Sequence, residues 1–400
     1  MPQALAATHQ PDWPDRALLA GVTARLARMP GLVDGAEIAT LRRLLALAAA
    51  GRCFVLQAGD CAEPFDEPTG EEVGKRIRLL RLAGRMVSTA VRLPVVPIGR
   101  IAGQYAKPRS APTEQVGGRS IPSYFGPLVN DPEPVAAKRT PDPARLLRGY
   151  HHAAGVLDLL REASAGDLAL VGQWGSRAPA LWTSHEALVL DYERQFVRRY
   201  GAAGTSVLAS THLPWIGMRT SFPDSTHVRF LAALANPVAC KIGPEHSPAD
   251  VVSLCRRLDP TRDPGRLVLV CRMGADRIAD RLPPIVSAVR ESGHPVVWMC
   301  DPMHGNTVRS RTGRKTRHLD AILAELTAFV GILRRGGAWP AGVHLEVAAE
   351  DVTECVGGRG GPTEEDLDRS YTTLCDPRLN PDQTLQVTRE LARLLGSGPG

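Results

Sequence analysis

Residues 54–60, FVLQAGD, read together with VACKI (238–242) and LVLVCR (267–272), decide the fold. Each is a short apolar, β-rich run that meets a polar or charged side chain, and each gives way to a longer amphipathic stretch. A strand buried on both faces reads as such an unbroken apolar run. Alternation of these runs with helical stretches is the pattern of βα units around a parallel sheet. Working outward, the same reading gives runs beginning at Val95 (VVPIGRI), Ala180 (ALWTSH), Ser206 (SVLASTH), Val296 (VVWMCD) and Val343 (VHLEV). DLALVGQW, residues 167–174, competes with the run at Ala180. Eight strands are what a closed barrel requires, so the expected fold class is α/β, a (β/α)8 TIM barrel. A doubly wound open sheet is the alternative, but it calls for a glycine-rich turn after the first strand, and QAGDCAEPF is not one.

On the N-terminal side, Leu18, Leu19, Val22 and Leu26, then Ile38, Leu41, Leu44 and Leu45, carry helical spacing interrupted near Pro30 and Gly31. Residues 1–50 are therefore expected to form an N-terminal helical extension, and residues 51–400 the catalytic barrel. Between Pro108 and Pro143 the prolines are too frequent for a regular helix, and this stretch is expected as a long loop over the barrel mouth.

The chain of 400 residues, 44% hydrophobic and 22% charged, has the composition of a globular protein with a large core. MPQALAATHQPDWPD lacks the basic and apolar segments of a secretory signal, and the longest apolar stretch, Leu44 to Ala50, is too short for a bilayer. The eight cysteines are scattered singly, which favours a reducing cytoplasm over a disulfide framework. A net charge of +6 and the basic run RSRTGRKTR (Arg309–Arg317) raise nucleic acid as a partner. The other arginines are dispersed, however, and neither an aromatic-interleaved RNA motif nor zinc-finger spacing is present. An anionic small substrate or a solvated loop accounts for the run better.

Polar residues fall at the ends of nearly all the apolar runs: Cys61, Arg100, His185 and Glu186, His212, Lys241, Arg272, Asp301 and His304, and Glu346. In a barrel these converge on the C-terminal face, where catalytic groups sit. Cys61, His304, Glu346 and Asp376 form a mixed thiolate, imidazole and carboxylate set suited to Mn, Co, Fe or Zn rather than Ca or Mg. His344, two residues from Glu346, reads as a partner behind the ligands or as barrel core. Arg100, Lys107, Arg109, Arg219, Lys241 and Arg272 form a cationic set. Cations in apolar strands are costly to bury without an anion, so their convergence points to a substrate carrying carboxylate and phosphate.

The strings that hold these residues are QAGDCAEPF, RIAGQYAKPRS, SHEALVLDYER, WIGMRT, NPVACKIGP, CRMG, DPMHGNT, HLEVAAEDVTECVGG and CDPRLNPDQ. In this order, over nearly the whole chain, the series resembles the type II (plant-type) 3-deoxy-D-arabino-heptulosonate-7-phosphate (DAHP) synthases. The resemblance implies a barrel enzyme that condenses phosphoenolpyruvate with erythrose 4-phosphate at the entry to the shikimate route. It implies Cys61, His304, Glu346 and Asp376 as ligands of a divalent metal, with Mn first and Co, Fe or Zn as alternatives. Arg100, Arg219, Lys241 and Arg272 would grip phosphoenolpyruvate, and Lys107, Pro108, Arg109 and Ser110 would form the acceptor-aldehyde and phosphate site. Lys241, Arg100 and Lys107 would stand nearest the chemistry, and His304 would face substrate as well as metal.

Two departures bear on the acceptor. Met218 stands where the family usually has Glu, and Phe125-Gly126-Pro127 follows SY where Arg-Gly-Asp is expected; Asp131 also replaces an expected glycine. The rival readings are a secondary-metabolism paralogue taking another aldehyde, such as an amino-substituted analogue, and a non-catalytic regulatory barrel. A homodimer or higher homo-oligomer is the expected assembly, with a chorismate mutase as the further partner weighed. Neither nucleic acid nor membrane is expected to bind.

Overall fold

The computed structural model describes residues 7–66, 68–109, 111–164 and 179–396. The apolar runs fold into eight parallel strands that close on themselves: β1 (Phe54–Gly59), β2 (Val95–Arg100), β3 (Trp182–Glu186), β4 (Leu213–Ile216), β5 (Val238–Ile242), β6 (Leu267–Cys271), β7 (Val297–Cys300) and β8 (Pro340–Glu346). Each strand neighbours its sequence successor, and β8 pairs with β1 to complete a (β/α)8 barrel. Longer helices, among them Gly70–Val91, Pro248–Leu258, Ile278–Glu291, Leu319–Arg335 and Pro381–Gly396, pack around it. No described helix is long and apolar enough to cross a membrane.

The fourth strand corrects the sequence reading. The run at Ser206 belongs to an antiparallel hairpin outside the barrel, Thr205–Leu208 paired with Val197–Tyr200. Its turn uses Gly201 and Gly204, both with positive φ, as a tight hairpin requires. The barrel strand is instead LPWI, which is short and carries a proline that disguises it. His212 therefore precedes its strand rather than ending it. It is buried, its Nδ1 accepts the Thr183 N–H at 3.0 Å, and its Nε2 lies 3.5 Å from Glu37 near the barrel's N-terminal end. The proline-rich stretch expected as a loop contains a hairpin, Thr113–Val116 with Arg119–Pro122, and a short helix, Ala136–Arg139. DLALVGQW lies outside the described residues.

Inside the barrel the side chains change character with height. Val55, Val96, Ile98, Trp182, Leu213, Trp215, Ala239, Val268, Val270, Val297 and Met299 form an apolar lower filling. The next inward positions, two residues further along every strand but β4, where Gly217 follows, are polar: Gln57, Arg100, Ser184 and Glu186, Lys241, Arg272, Asp301, His344 and Glu346. Two helices, Arg16–Ala27 and Gly35–Ala49, flank Pro30–Gly31. The second is started by an Asp34–Glu37 capping box, and its Leu41, Leu44, Leu45 and Ala48 join the apolar filling, so it closes the floor of the barrel.

That floor rests on Gly265, whose φ is +79° and where an added Cβ would lie 2.2 Å from the Arg42 carbonyl oxygen and 2.6 Å from Ala46 N. Gly265→Ala is expected to cost about 2–4 kcal/mol, through backbone strain and displacement of the floor helix. Urea unfolding checks it, and an unchanged midpoint would show that the helix is not held this way.

Candidate active site and metal centre

At the C-terminal face the polar layer opens into a cavity of about 350 Å³. Its walls carry Lys107, Arg109, Arg219, Lys241, Arg272, Arg309 and Lys315 against three acids, Glu114, Glu186 and Asp376. The cavity is thus built for anions.

Glu346 lies at its base, fully buried at the end of β8. Its Oε1 meets Arg100 Nη2 at 2.8 Å, Lys107 Nζ at 3.2 Å and His304 Nε2 at 3.0 Å, and its Oε2 meets Arg317 Nη1 at 2.8 Å. Burial works against its charge, but His304, Lys107, Arg317 and Arg100 hold the carboxyl well below the usual carboxylate range. Asp376 joins from the C-terminal segment, with Oδ2 3.0 Å from Lys107 and Oδ1 2.8 Å from Lys315, while its backbone N–H donates to Cys61 Sγ at 3.1 Å. Donor atoms of Cys61, Glu346 and Asp376 all lie within 4.8 Å of one another, as do those of Asp301, His304 and His344.

The donor set fits a divalent metal. Burial, Cys375 and the Glu346 carboxylate push the Cys61 thiol up, so a thiolate there needs a strong cation beside it. His304 turns Nδ1 to Asp301 Oδ2 at 2.8 Å and presents Nε2 towards Glu346, the arrangement that leaves one ring nitrogen for a metal while a carboxylate holds the other. Burial lowers the His304 pKa, which favours the neutral imidazole such a role requires. Burial also opposes charge on Asp301, yet His304 and Lys241 hold it well below its usual range. His344 uses both ring nitrogens on protein partners, Gln57 Oε1 at 2.7 Å and Arg100 Nη1, so it stands behind the cluster. Arg378 ties the Asp376 segment to the Cys61 segment by pairing with both Glu354 and Asp60.

Of the six cations expected at the site, five line the cavity. Arg100 lies beneath it, with Nε on the Asp60 carbonyl at 2.8 Å and its remaining donors on His344, Cys61 and Glu346. Ser110 lies outside the described residues. Lys241 bonds Asp301 Oδ2 at 2.8 Å; burial lowers its pKa, with Asp301 opposing. Arg272 donates to the His304 carbonyl at 2.8 Å, while its buried Nε has no hydrogen-bond partner among the described residues. His185 points away from the cavity and pairs with Glu193 at 2.8 Å.

Three groups at the site escaped the sequence reading, and a fourth, Glu186, is placed by it at the C-terminal face without a role. Glu186 lines the cavity with its Oε1 buried and without a hydrogen-bond partner among the described residues, and burial raises its pKa against the pull of Lys241 and Lys107. Arg309, Lys315 and Arg317 come from the basic run taken for a solvated loop or a ligand-binding patch, and their alternation at every second residue was the available clue.

The two departures are also located. Met218 lines the cavity and lays its thioether against Gly243, where an added Cβ would lie 2.8 Å from Cε. Phe125 lines a second cavity of about 490 Å³ that shares Arg109, Ala111 and Ser123 with the first.

Fold and site together define a (β/α)8-barrel enzyme with a cationic pocket over a set of metal-binding side chains. A family model, the class-II DAHP synthetase family, matches residues 2–179 and 173–392. The chain is 43% identical over 380 residues to a probable phospho-2-dehydro-3-deoxyheptonate aldolase of Pseudomonas fluorescens, covering 95% of this chain and 93% of that protein. It is 39% identical over 429 residues to the phospho-2-dehydro-3-deoxyheptonate aldolase of Streptomyces coelicolor, covering 98% and 95%. A solved phospho-2-dehydro-3-deoxyheptonate aldolase from Francisella tularensis superposes with a TM-score of 0.55 at 12% identity over 95% of this chain and 97% of that one, a likeness of fold. The chain belongs to the class-II DAHP synthetase family and is a carbon–carbon bond-forming transferase.

One carboxylate outside the cavity ties its loops together. Glu325 accepts from Met273 N at 2.7 Å, Gly274 N at 2.9 Å and Asn306 Nδ2 at 2.7 Å, fixing the segments that carry Arg272 and His304. Burial pushes its carboxyl from 4.5 up to about 7, against the pull of these donors. The folded chain then binds more protons than the unfolded chain between those values, so this group's stabilisation is complete below the lower one and is lost as pH rises through the upper. Over that window the wild type should lose on the order of 3 kcal/mol more stability than Glu325→Gln. A urea-midpoint series from acid to neutral pH measures the difference, and parallel slopes for the two proteins would refute it.

Proposed function

We propose that this enzyme condenses phosphoenolpyruvate with erythrose 4-phosphate to give 3-deoxy-D-arabino-heptulosonate 7-phosphate and inorganic phosphate. The observation that carries the reading is a cationic cavity standing directly on a buried thiol, imidazole and carboxylate cluster, in a member of this family. Cys61, His304, Glu346 and Asp376 are assigned as ligands of a divalent metal, Mn before Co, Fe or Zn, which when bound supplies Lewis-acid polarisation of the aldehyde oxygen.

The remaining steps belong to the side chains. Arg219, Lys241 and Arg272, which line the cavity, orient the carboxylate and phosphate of phosphoenolpyruvate. Arg100, one layer down, adds to the field and fixes Glu346. Lys107 and Arg109 bound the acceptor side. C3 of phosphoenolpyruvate bonds to the aldehyde carbon using the electrons of its double bond, which leaves C2 electron-poor. Water adds at C2, and cleavage of the C2–oxygen bond of the resulting hemiketal phosphate releases inorganic phosphate. Lys241, whose pKa burial lowers, is placed to give a proton to the aldehyde oxygen. Glu186, whose pKa burial raises, is placed to take one from the adding water.

Purified protein supplied with Mn is expected to consume phosphoenolpyruvate, followed by its ultraviolet absorbance, when erythrose 4-phosphate is offered. Silence with that aldehyde and turnover with another would overturn the acceptor assignment. Cys61→Ala is expected to lose most bound metal by elemental analysis along with activity, and metal retained in full would remove Cys61 from the ligand set. Lys241→Met should lower kcat by about 100-fold or more while the fold persists.

A further inference from the structure

The end of β3 is poorly served by the sheet. On one side β3 pairs with β2 only at Trp182 and Thr183; on the other it pairs with β4 at Ser184, His185 and Glu186, where Pro214 has no N–H to give. Glu186 therefore leaves the ladder with a neighbour on one side only. Its carboxyl lies against the backbone after β4, since a Cβ added at Gly217 would stand 1.9 Å from Oε1, and that oxygen has no hydrogen-bond partner among the described residues. A carboxyl so placed stands where its backbone puts it. From the barrel side two bonds fix that backbone: the Glu186 N–H donates to Gln104 Oε1 at 3.0 Å, and the Ala187 N–H donates to the Trp215 carbonyl at 3.0 Å.

The residues that follow Glu186 are fixed from outside the barrel. Gln10 Nε2 donates to the Leu188 carbonyl at 2.8 Å, and Gln10 Oε1 accepts the Leu190 N–H at 2.9 Å. One amide side chain thus satisfies two backbone groups, as a paired strand would. His227 Nε2 shares the Leu188 carbonyl at 2.9 Å, so the bond to Leu190 is the one that rests on Gln10. Pro11 is buried, and Trp13, buried three residues after Gln10, donates Nε1–H to Asp191 Oδ2 at 2.9 Å. Residues 10–13 therefore lie along Leu188–Asp191 at the C-terminal face, while the helix Gly35–Ala49 closes the floor. The leading stretch of the chain grips the barrel at both ends.

We propose that Gln10 is a positioning residue for the condensation: resting on the role given to Glu186 above, it holds that carboxyl at the adding water through the Leu188–Leu190 backbone. Displacing an acid or base by about 1 Å can cost on the order of 100-fold in rate. Substrate binding is spared, because the cations that line the cavity stand on other segments.

Gln10→Ala removes both bonds. Hydrogen exchange read by mass spectrometry on the metal-loaded, full-length protein should show the peptide containing Leu190 exchanging about tenfold faster or more, with the barrel strands unchanged. In steady-state assays kcat should fall about tenfold or more, with both KM values within about twofold of wild type and bound metal unchanged. Added to Glu186→Gln, the same change should lower kcat by less than about twofold further. Gln10→Glu keeps the acceptor for the Leu190 N–H and should recover most of the slow exchange and of kcat, a recovery that general loosening of the chain would not show. Wild-type exchange or wild-type kcat in Gln10→Ala, losses that multiply in the double variant, or no recovery in Gln10→Glu overturns the proposal. Glu186→Gln with wild-type kcat overturns the role of Glu186 and this positioning with it, whereas a loss in Glu186→Gln beside a silent Gln10→Ala overturns the positioning alone.

Discussion

The buried carboxylate of Glu346 is the constraint on which the rest of this site depends. An ionised carboxylate without exposure costs several kcal/mol to bury, and only close opposite charges and hydrogen bonds offset that cost. Here Arg100 comes from β2, Lys107 from the loop after it, His304 from the loop after β7 and Arg317 from the hairpin beyond. Four separate stretches of chain are thereby drawn to one point. Each arrives already oriented, because losing its contact would leave a charge buried and unpaired.

The charge balance around that point explains why the cavity above it is cationic. Cys61, Glu346 and Asp376 supply three acidic groups at the base, and Arg100, Lys107 and Arg317 stand against them in the same low-dielectric volume. A divalent cation added to that base leaves it positive. Arg219, Lys241 and Arg272 stand in the walls above it, Lys241 bonded to Asp301 and the Glu186 carboxyl among them. Negative charge from substrate then offsets that positive excess. In such a buried, low-dielectric setting that charge is bound strongly and held in a fixed orientation.

Much of this was legible in the sequence. Seven of the eight strands follow from unbroken apolar runs, and Cys61, His304, Glu346 and Asp376 follow from polar residues placed where those runs end or where a proline fixes a turn. What failed shares a physical cause. LPWI has the length and proline of a loop and becomes a strand only because its neighbours supply both edges, whereas SVLASTH has strand composition but a glycine turn behind it that folds it into a local hairpin. The error moved His212 from one end of the barrel to the other. Arg317 was missed because charge density in a linear sequence says nothing about which face of a ribbon is buried. Its partner Glu346 is 29 positions away in the chain.

The same distinction between side chain and backbone bears on Phe125-Gly126-Pro127, where the family strings lead one to expect Arg-Gly-Asp. The middle glycine is the part retained, and it is the part whose conformation the site uses. Gly126 has φ +110°, and an added Cβ there would lie 2.2 Å from the Tyr105 carbonyl oxygen. The Lys107 N–H donates to the Phe125 carbonyl at 2.8 Å, and the Phe125 N–H donates to Asn130 Oδ1 at 2.9 Å. The backbone of this turn therefore sets the start of the Lys107 loop whichever side chains flank the glycine. Phe125 lines the neighbouring cavity and Pro127 is in the lining of neither, while Lys107 keeps its contacts to Glu346 and Asp376.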